Sequence, residues 1–281
     1  MFDPFMIQQV VIALFVVSMI VAVGLDISLD DVRGVGKLSK LFVVGLCLNY
    51  LVVPGINLAL VTWVSLPPAA AAAIFLIGAA GGGPIGAMFT QAHRGNLVFS
   101  AGLMLLLNVL NTFITPALCA VFIDLPQTET GNPALEMMKT IVLFQVIPLL
   151  GAIGFRHWQP RAANRVLPFA KRFSQAVLVL LVVGLGVVHG RSLFQVTPIV
   201  FIVSLVAVAS SWLISVAITP GPWEDRLAMA FTTTFRSMSL VVLLIGVWFP
   251  DPVTLFTALV YTSIIFTFSV VAGWCLRFVR K

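Results

Sequence analysis

The sequence predicts an all-α membrane protein with nine transmembrane helices. Hydrophobic residues make up 60% of the 281-residue chain and charged residues only 9%, whereas a soluble domain carries about 25% charged residues. Charged and Pro/Gly-rich positions divide the chain into nine apolar segments, each close to the roughly 20 residues that a spanning helix needs. They cover residues 6–24, 41–63, 69–91, 97–122, 135–154, 173–189, 196–219, 228–249 and 253–275.

The distribution of basic residues predicts the orientation. With the N-terminus outside, 13 of the 16 lysine and arginine residues fall at the cytoplasmic ends of the segments, which is the side where these residues are enriched. We therefore expect an integral protein of the inner or plasma membrane with a cytoplasmic C-terminus. The stretch RHWQPRAANRVLPFAKR, residues 156–172, is predicted to be the longest inner loop, a basic anchor that also contacts anionic lipid.

The same pattern argues against several classes of protein. The net charge of +6 comes from short loops between spans, so we expect the lipid bilayer as a partner, and neither nucleic acid nor an obligate protein partner. The sequence has no nucleotide-binding loop, zinc-protease motif or nucleophile elbow. We therefore predict that the protein is not an enzyme, with no catalytic residues, no cofactor and no metal site.

Two spans carry signals of a broken helix. In the third span, Gly81, Gly82 and Gly83 precede Pro84. Glycine and proline interrupt a helix, and proline suits the first turn of a new one. In the eighth span, the stretch TTTFRSMSL places Arg236 among hydroxyl side chains, which can satisfy backbone groups that an unwound turn leaves free.

The two interrupted spans occupy corresponding places in the chain. The third span runs inward and the eighth outward, and each is the fourth of five helices if the first set lacks its first helix. Antiparallel broken helices at corresponding positions are typical of inverted-repeat transporters, which bind substrate where the breaks meet. We expect the two discontinuous helices to cross near Gly83–Ala87 and Thr232–Ser237.

These stretches resemble the bile acid:sodium symporter family over nearly the whole chain. The resemblance rests on LIGAAGGGPIGAMFTQAHRGN with the later TFITPAL, on LNYLVVP, on VGLDISLDDVRG and on AMAFTTTFRSMSL. It implies a panel domain, residues 6–24, 135–154 and 173–189, that moves against a core domain, residues 41–122 and 196–275. It also implies that the first helix of the family is absent, as in members with nine helices.

The departures from the family concern its sodium ligands. Sodium-coupled members carry a Ser-Asn pair where this chain has Gly86 and Ala87, and a Glu and a Gln where it has Thr232 and Arg236. A threonine of the next helix is replaced by Asn108. Asn49 is the ligand position that is kept. The resemblance therefore implies that the sodium site is lost and that transport is independent of sodium.

Arg236 has three possible roles. Its guanidinium group donates hydrogen bonds and does not ligate a cation, so it can replace a sodium ion, attract an anion, or serve only as a structural link. Burying it costs at least about 2.5 kcal/mol on insertion scales, so it needs partners. Half-helix N-termini beside it favour a carboxylate or sulfonate. The predicted substrate-binding residues are Arg236, Thr232, Thr234, Ser237, Gly83, Pro84, Gly86, Asn49, Asn108 and Asn111.

The function predicted from these residues is secondary transport of an organic anion, carboxylate- or bile-acid-like, by alternating access. One alternative is a related carrier of arsenite or auxin type, although arsenite favours a thiol and no cysteine lies at the breaks. A second is a membrane ligand sensor that does not transport, and a third is a channel. Asn108 and Asn111 share a helix face that is directed either at the crossing or at a neighbouring helix.

Overall fold

Every regular element of the described chain is a helix. The structure, a computed structural model, describes residues 4–26, 39–123, 125 and 131–279. Within these residues, eight helical stretches are long and apolar enough to cross a membrane, one of them the interrupted stretch Trp223–Trp248, and a bent pair, Pro68–Ala79 and Pro84–Ala92, supplies a ninth span. The prediction of an all-α membrane protein with nine spans is thereby confirmed. The predicted inner positions Arg33, Lys37, Arg280 and Lys281 lie outside the described residues.

The helices have the following bounds in chain order. They are α1, Pro4–Asp26; α2, with the segments Ser39–Cys47, Leu48–Val52 and Val53–Trp63; α3, Pro68–Ala79; α4, Pro84–Ala92; α5, Leu97–Phe122; α6, with the segments Pro133–Ile141, Val142–Val146 and Ile147–Trp158; α7, Pro160–Leu193; α8, Pro198–Ile218; α9, Trp223–Thr234; α10, Met238–Trp248; and α11, Pro252–Val279. The middle segments of α2 and α6 are π-helical turns. Such turns are rare and frequently lie at functional sites.

Helix α1 packs along α6 and α7, and it also contacts α10. Helix α9 contacts α4 and α8, while α11 contacts α3 and α8. The largest apolar cluster includes Ile74 of α3, Phe231 of α9 and Leu244 of α10, so the two broken spans lie in the apolar interior. The assignment of panel and core domains stays a prediction.

The prediction of a long inner loop at residues 156–172 is wrong. Residues 160–172 are helical and form the first turns of α7. Pro160 occupies the start of the helix, where its fixed φ and missing N–H are favourable. Ala163 and Ala170 pack with Ala22 and Leu25 of α1, so burial extends the helix beyond the apolar segment that the sequence marks.

The two breaks are short. Helix α3 ends at Ala79 and α4 begins at Pro84, so the first break is residues 80–83 and the two halves meet at a 62° bend. The second break is residues 235–237, between α9 and α10. As predicted, proline begins the second half-helix. The ranges expected for the crossing, Gly83–Ala87 and Thr232–Ser237, include the first residues of α4 and the last residues of α9 as well as parts of the breaks, and these ranges do contact each other.

The orientation can be tested by labelling single cysteines in a variant without the three native ones. We expect a cysteine at Ser65, between α2 and α3, to react with an impermeant reagent from outside. A cysteine at Pro160 should react only from the cytoplasm, because the basic ends of the helices are retained there. Labelling of position 160 from outside in intact cells would contradict the predicted orientation.

Candidate functional site

The two breaks lie directly against each other. The N–H of Gly83 donates to the carbonyl of Phe235 at 2.9 Å, and the N–H of Ser237 donates to the carbonyl of Ala80 at 3.0 Å. Gly82 has a φ of +82°, which residues with a side chain rarely adopt. A Cβ atom on Gly83 would overlap the carbonyl group of Arg236. The first break therefore needs glycine both for its conformation and for its approach to the second.

Gly86 lies at the same crossing, one turn further along. A Cβ atom built on it would be 2.9 Å from the carbonyl oxygen of Phe231. The backbones of α4 and α9 therefore approach too closely for a side chain between them. Gly86, Gly83 and the second break form one continuous backbone contact, as the crossing of two discontinuous helices requires.

Helix α5 satisfies the carbonyl groups of the first break with a ladder of three side chains. Thr115 Oγ1 donates to Ala79 O at 2.9 Å, Asn111 Nδ2 to Gly81 O at 2.7 Å, and Asn108 Nδ2 to Gly82 O at 3.0 Å. The spacing of these residues places them on one helix face. A buried carbonyl group without a partner costs free energy, so the side chains of α5 stabilise the non-helical conformation of the first break. Asn108 and Asn111 therefore face the crossing.

Arg236 is enclosed by an oxygen cage, which we define as Asn49 O, Asn49 Oδ1, Ile77 O, Gly78 O and Thr233 O. The side chain is buried, with 3% of its surface exposed. Nε donates to Ile77 O at 3.0 Å. Nη1 donates to Asn49 Oδ1 at 2.7 Å and to Thr233 O at 3.2 Å. Nη2 donates to Asn49 O at 3.3 Å and to Gly78 O. A guanidinium group has five N–H donors, and all of them are used.

The oxygen cage stands at the negative ends of two half-helices. Ile77 and Gly78 lie in the last turn of α3, and Thr233 lies in the last turn of α9. Carbonyl groups at a helix C-terminus have no intrahelical partner and carry the negative end of the helix dipole. Asn49 joins the cage from the π-helical turn of α2, and its Nδ2 donates to Thr233 Oγ1 at 3.1 Å. One cation thus holds three segments together.

No carboxylate neutralises Arg236 within the described residues. Among these, the one buried carboxylate is Asp225, at the start of α9. Its Oδ1 accepts a hydrogen bond from Asn96 Nδ2 at 2.8 Å, and it forms no ion pair with Arg236. The charge of the guanidinium is therefore met by carbonyl dipoles, and the crossing keeps a net positive charge.

Thr232 belongs to a separate chain of hydroxyl groups. Its Oγ1 is 2.6 Å from Ser100 Oγ, and Thr90 Oγ1 donates to Ser100 Oγ at 3.2 Å and to Gly86 O at 2.8 Å. All three side chains are fully buried. The chain links α9, α5 and α4 beside the crossing, so Thr232 connects the two broken spans instead of contacting Arg236.

The N-termini of α4 and α10 lie at the two breaks. Neither helix has a side-chain hydrogen bond at its N-cap residue, Gly83 in α4 and Ser237 in α10. The hydroxyl oxygens of Thr234 and Ser237 are buried and have no hydrogen-bond partner among the described residues. Pro84 and Met238, the first residues of the two helices, are half-buried. These positive helix ends therefore have no side-chain cap and are partly exposed.

Gln145 connects the crossing to the helices that pack on α1. It is fully buried in the π-helical turn of α6. Its Nε2 donates to Asn108 Oδ1 at 3.2 Å and to Asn108 O at 3.4 Å. Because both neighbouring atoms are acceptors, the amide orientation is fixed, and Gln145 Oε1 has no partner among the described residues. A residue outside the broken spans thus contacts the side chain that holds the first break.

The structure places every predicted site residue at or beside the crossing, in five different settings. Arg236 and Asn49 meet in the oxygen cage. Asn108 and Asn111 bind the first break, Gly83 and Gly86 approach the second, and Thr232 lies in the hydroxyl chain. Pro84 and Ser237 lie at the N-termini of α4 and α10, and Thr234 ends α9 with its hydroxyl oxygen unpartnered among the described residues. Their roles in binding a substrate stay predictions.

Three side chains at the crossing lie outside the predicted set of site residues. Ser100, Thr115 and Gln145 were not predicted as site residues, although each bonds to one that was. The spacing of Asn108, Asn111 and Thr115 on one helix face was a usable signal for Thr115. The sequence contains no signal that identifies Ser100 or Gln145, because their contacts join segments that are distant in the chain. In the described residues, no cluster of three His, Cys, Asp or Glu side chains is placed to hold a metal ion.

Comparison with known proteins agrees with this geometry. A model of the sodium bile acid symporter family matches residues 11–196, more than half of the chain. The chain is 26% identical over 145 residues to a protein of Arabidopsis thaliana named probable sodium/metabolite cotransporter BASS1, chloroplastic. That match covers 52% of this chain and 35% of the relative, so the chain matches only about a third of the relative's length. The predicted resemblance is confirmed.

Close backbone contact at the first break predicts a sharp difference between two glycine substitutions. Gly83→Ala should lower the midpoint of thermal unfolding, because the new Cβ overlaps the backbone of Arg236 and overpacking costs about 1–3 kcal/mol. Gly184→Ala in α7 is the matched control, since a Cβ there meets no atom within 4 Å. The control should be neutral or slightly stabilising. Equal midpoints for the two variants would contradict the crossing.

Proposed function

We propose, since the chain belongs to the sodium bile acid symporter family, that it is a secondary transporter that moves an organic anion across the membrane without sodium coupling. The observation that supports this most strongly is the oxygen cage around Arg236. Carbonyl oxygens that converge on one point are the ligands with which proteins replace the hydration shell of an alkali-metal ion. In this chain, a guanidinium group fills that position.

Sodium beside Arg236 would be repelled. Two positive charges about 4 Å apart cost about 4 kcal/mol even at an effective dielectric constant of about 20. The guanidinium also uses all five cage oxygens as acceptors. We infer that Arg236 is a fixed replacement for a coupling cation. It keeps the crossing assembled in every step of transport, whereas a dissociable ion would leave with each cycle.

We infer that Arg236 acts on the substrate indirectly. Because its donors are occupied, it does not present a free N–H to a ligand in this conformation. Its charge still acts at a distance, since the described residues contain no carboxylate beside it. An anion about 8 Å away gains about 2 kcal/mol at an effective dielectric constant of about 20. This attraction favours anionic substrates over neutral ones.

We assign direct contact with the anion to the N-termini of α4 and α10. The N–H groups of Gly83 and Ser237 already bond across the breaks, so the remaining N–H groups of the first turns would bind a carboxylate or sulfonate group. The hydroxyls of Thr234 and Ser237 lack partners among the described residues and can donate to the same group. Pro84 and Met238 are half-buried, so we propose that the anion enters past them.

Alternating access requires that a second group of helices moves past the crossing. We propose that α1, α6 and α7 form this moving panel and that the remaining helices form the core. The contact between Gln145 and Asn108 supports this division, because it joins the two groups next to the first break. Breaking and remaking this bond as the panel moves would couple substrate binding to the change in access.

Transport of organic anions into proteoliposomes tests the proposed function. We expect saturable uptake of at least one carboxylate or sulfonate, at equal rates with sodium or potassium as the external cation. Protein-free vesicles and the Gly83→Ala variant serve as controls. Uptake that requires sodium would contradict the proposed uncoupling. Flux that does not saturate would identify a channel, and binding without flux would identify a sensor.

Replacement of Arg236 tests its role as a fixed cation. Arg236→Ala should lower the midpoint of unfolding and abolish uptake, because each unpaired buried acceptor costs about 1–3 kcal/mol. Low, non-denaturing concentrations of guanidinium ion should partly restore the midpoint of unfolding and the uptake, because the free ion fits the oxygen cage. Arg236→Lys should retain partial function, since an ammonium keeps the charge but has three donors.

The control for this rescue is Arg191→Ala, which removes an exposed arginine near the C-terminal end of α7. Guanidinium should not change its unfolding midpoint or its uptake. If Arg236→Ala transports as well as the wild type without guanidinium, the arginine does not hold the crossing. If guanidinium stabilises both variants equally, the effect does not come from the oxygen cage.

A further inference from the structure

The first turns of α7 present three different faces. At 100° per residue, Arg161, Arg165 and Arg172 fall within about 40° of one another around the helix axis. We call these three residues the basic face. The opposite side is buried and contains Ala163, Ala170 and Ser174. Such a division into faces is typical of a helix that lies at the surface of a membrane.

Beside the basic face, α7 has a stripe of exposed apolar side chains. Val166, Phe169 and Phe173 are 41%, 69% and 41% exposed. The rings of Phe169 and Phe173 are stacked, with centroids 6.2 Å apart and planes at 17°. Their spacing of three and four residues places them along one line of the helix. Aromatic side chains next to arginines suit the boundary between headgroups and acyl chains.

The arginines of the basic face have no acidic partner among the described residues. All three are exposed, and within this described part of the chain no ion pair or side-chain hydrogen bond involves them. Their neighbour Lys171 contacts α1, since its Nζ lies 2.8 Å from Asp26 Oδ2. Lys171 therefore contributes to the contact between α7 and α1, while the basic face lies on the exposed surface of α7.

Two aromatic residues indicate the depth of the basic face relative to the membrane. Trp158 ends α6, is 85% exposed and lies two residues before Pro160, where α7 starts. Tryptophan is enriched at the level of the headgroups. At the other end, Phe173 begins the apolar part of α7. The basic face thus lies between an interfacial tryptophan and the start of the hydrocarbon region.

We propose that the basic face, with the stripe of Val166, Phe169 and Phe173, is a binding site for anionic phospholipid headgroups. Guanidinium groups bind phosphate oxygens with two parallel hydrogen bonds. The stripe favours a lipid over an acidic protein or nucleic acid, because it supplies a surface for acyl chains beside the phosphate. The bound lipids anchor the α6–α7 hairpin at the membrane surface. This site is independent of the crossing and of the transported anion.

The test titrates the purified full-length protein in neutral detergent with short-chain phosphatidylglycerol or phosphatidylcholine. Binding is measured as the shift in the midpoint of thermal unfolding. The wild type should bind phosphatidylglycerol more tightly. Arg165→Gln/Arg172→Gln should weaken that binding by about 25-fold, at about fivefold per arginine near an anionic surface, and should leave phosphatidylcholine unaffected. Equal affinity of the wild type for both lipids would overturn the proposal.

The matched control is Lys139→Gln/Arg191→Gln, which removes the same charge from exposed positions at the opposite ends of α6 and α7. It should keep the full preference for phosphatidylglycerol. If both double variants lose the preference equally, the effect is general electrostatic attraction and the site is refuted. Phe169→Ser/Phe173→Ser should weaken binding of the lipid but not of inorganic phosphate. Displacement of the lipid by a soluble acidic peptide would indicate a protein partner instead.

Discussion

Arg236 and the oxygen cage hold together the ends of α3 and α9 and the π-helical turn of α2. An unwound backbone inside a membrane is tolerated only if its polar groups find partners. Here, the last carbonyl groups of α3 and α9 and the amide of Asn49 all converge on one guanidinium group. Without a cation, these oxygens would face each other across a nonpolar interior. Burying the guanidinium charge costs free energy, but the same charge stabilises the carbonyl groups at the ends of α3 and α9 and so allows both spans to be discontinuous.

The crossing brings together helix ends of opposite polarity. The C-terminal ends of α3 and α9 are occupied by Arg236. The N-terminal ends of α4 and α10 have no side-chain cap. Because the cation is permanently bound, the positive ends and the net charge remain for a ligand. This polarity is the physical basis for proposing an anionic substrate, and the bond between Gln145 and Asn108 is the proposed link to movement.

Much of this arrangement could be predicted from the sequence, because its signals are local. Glycine and proline at residues 81–84 indicated the first break, and an isolated arginine among hydroxyl residues indicated the second. The partners of Arg236 were not predictable, since Ile77 and Gly78 contribute backbone carbonyls that any residue type would supply. The helix over residues 160–172 was missed for a similar reason. Its composition is that of a polar loop, and its stability comes from Ala163 and Ala170 packing near α1.

A sodium titration measures whether Arg236 takes the place of a sodium ion. Thermal unfolding of purified wild type and of Arg236→Ala would be followed as sodium chloride replaces choline chloride at constant ionic strength. We expect no sodium-specific change in the wild type and a saturable stabilisation of the variant, as sodium enters the vacated oxygen cage. A saturable stabilisation of the wild type by sodium, absent with potassium, would contradict it.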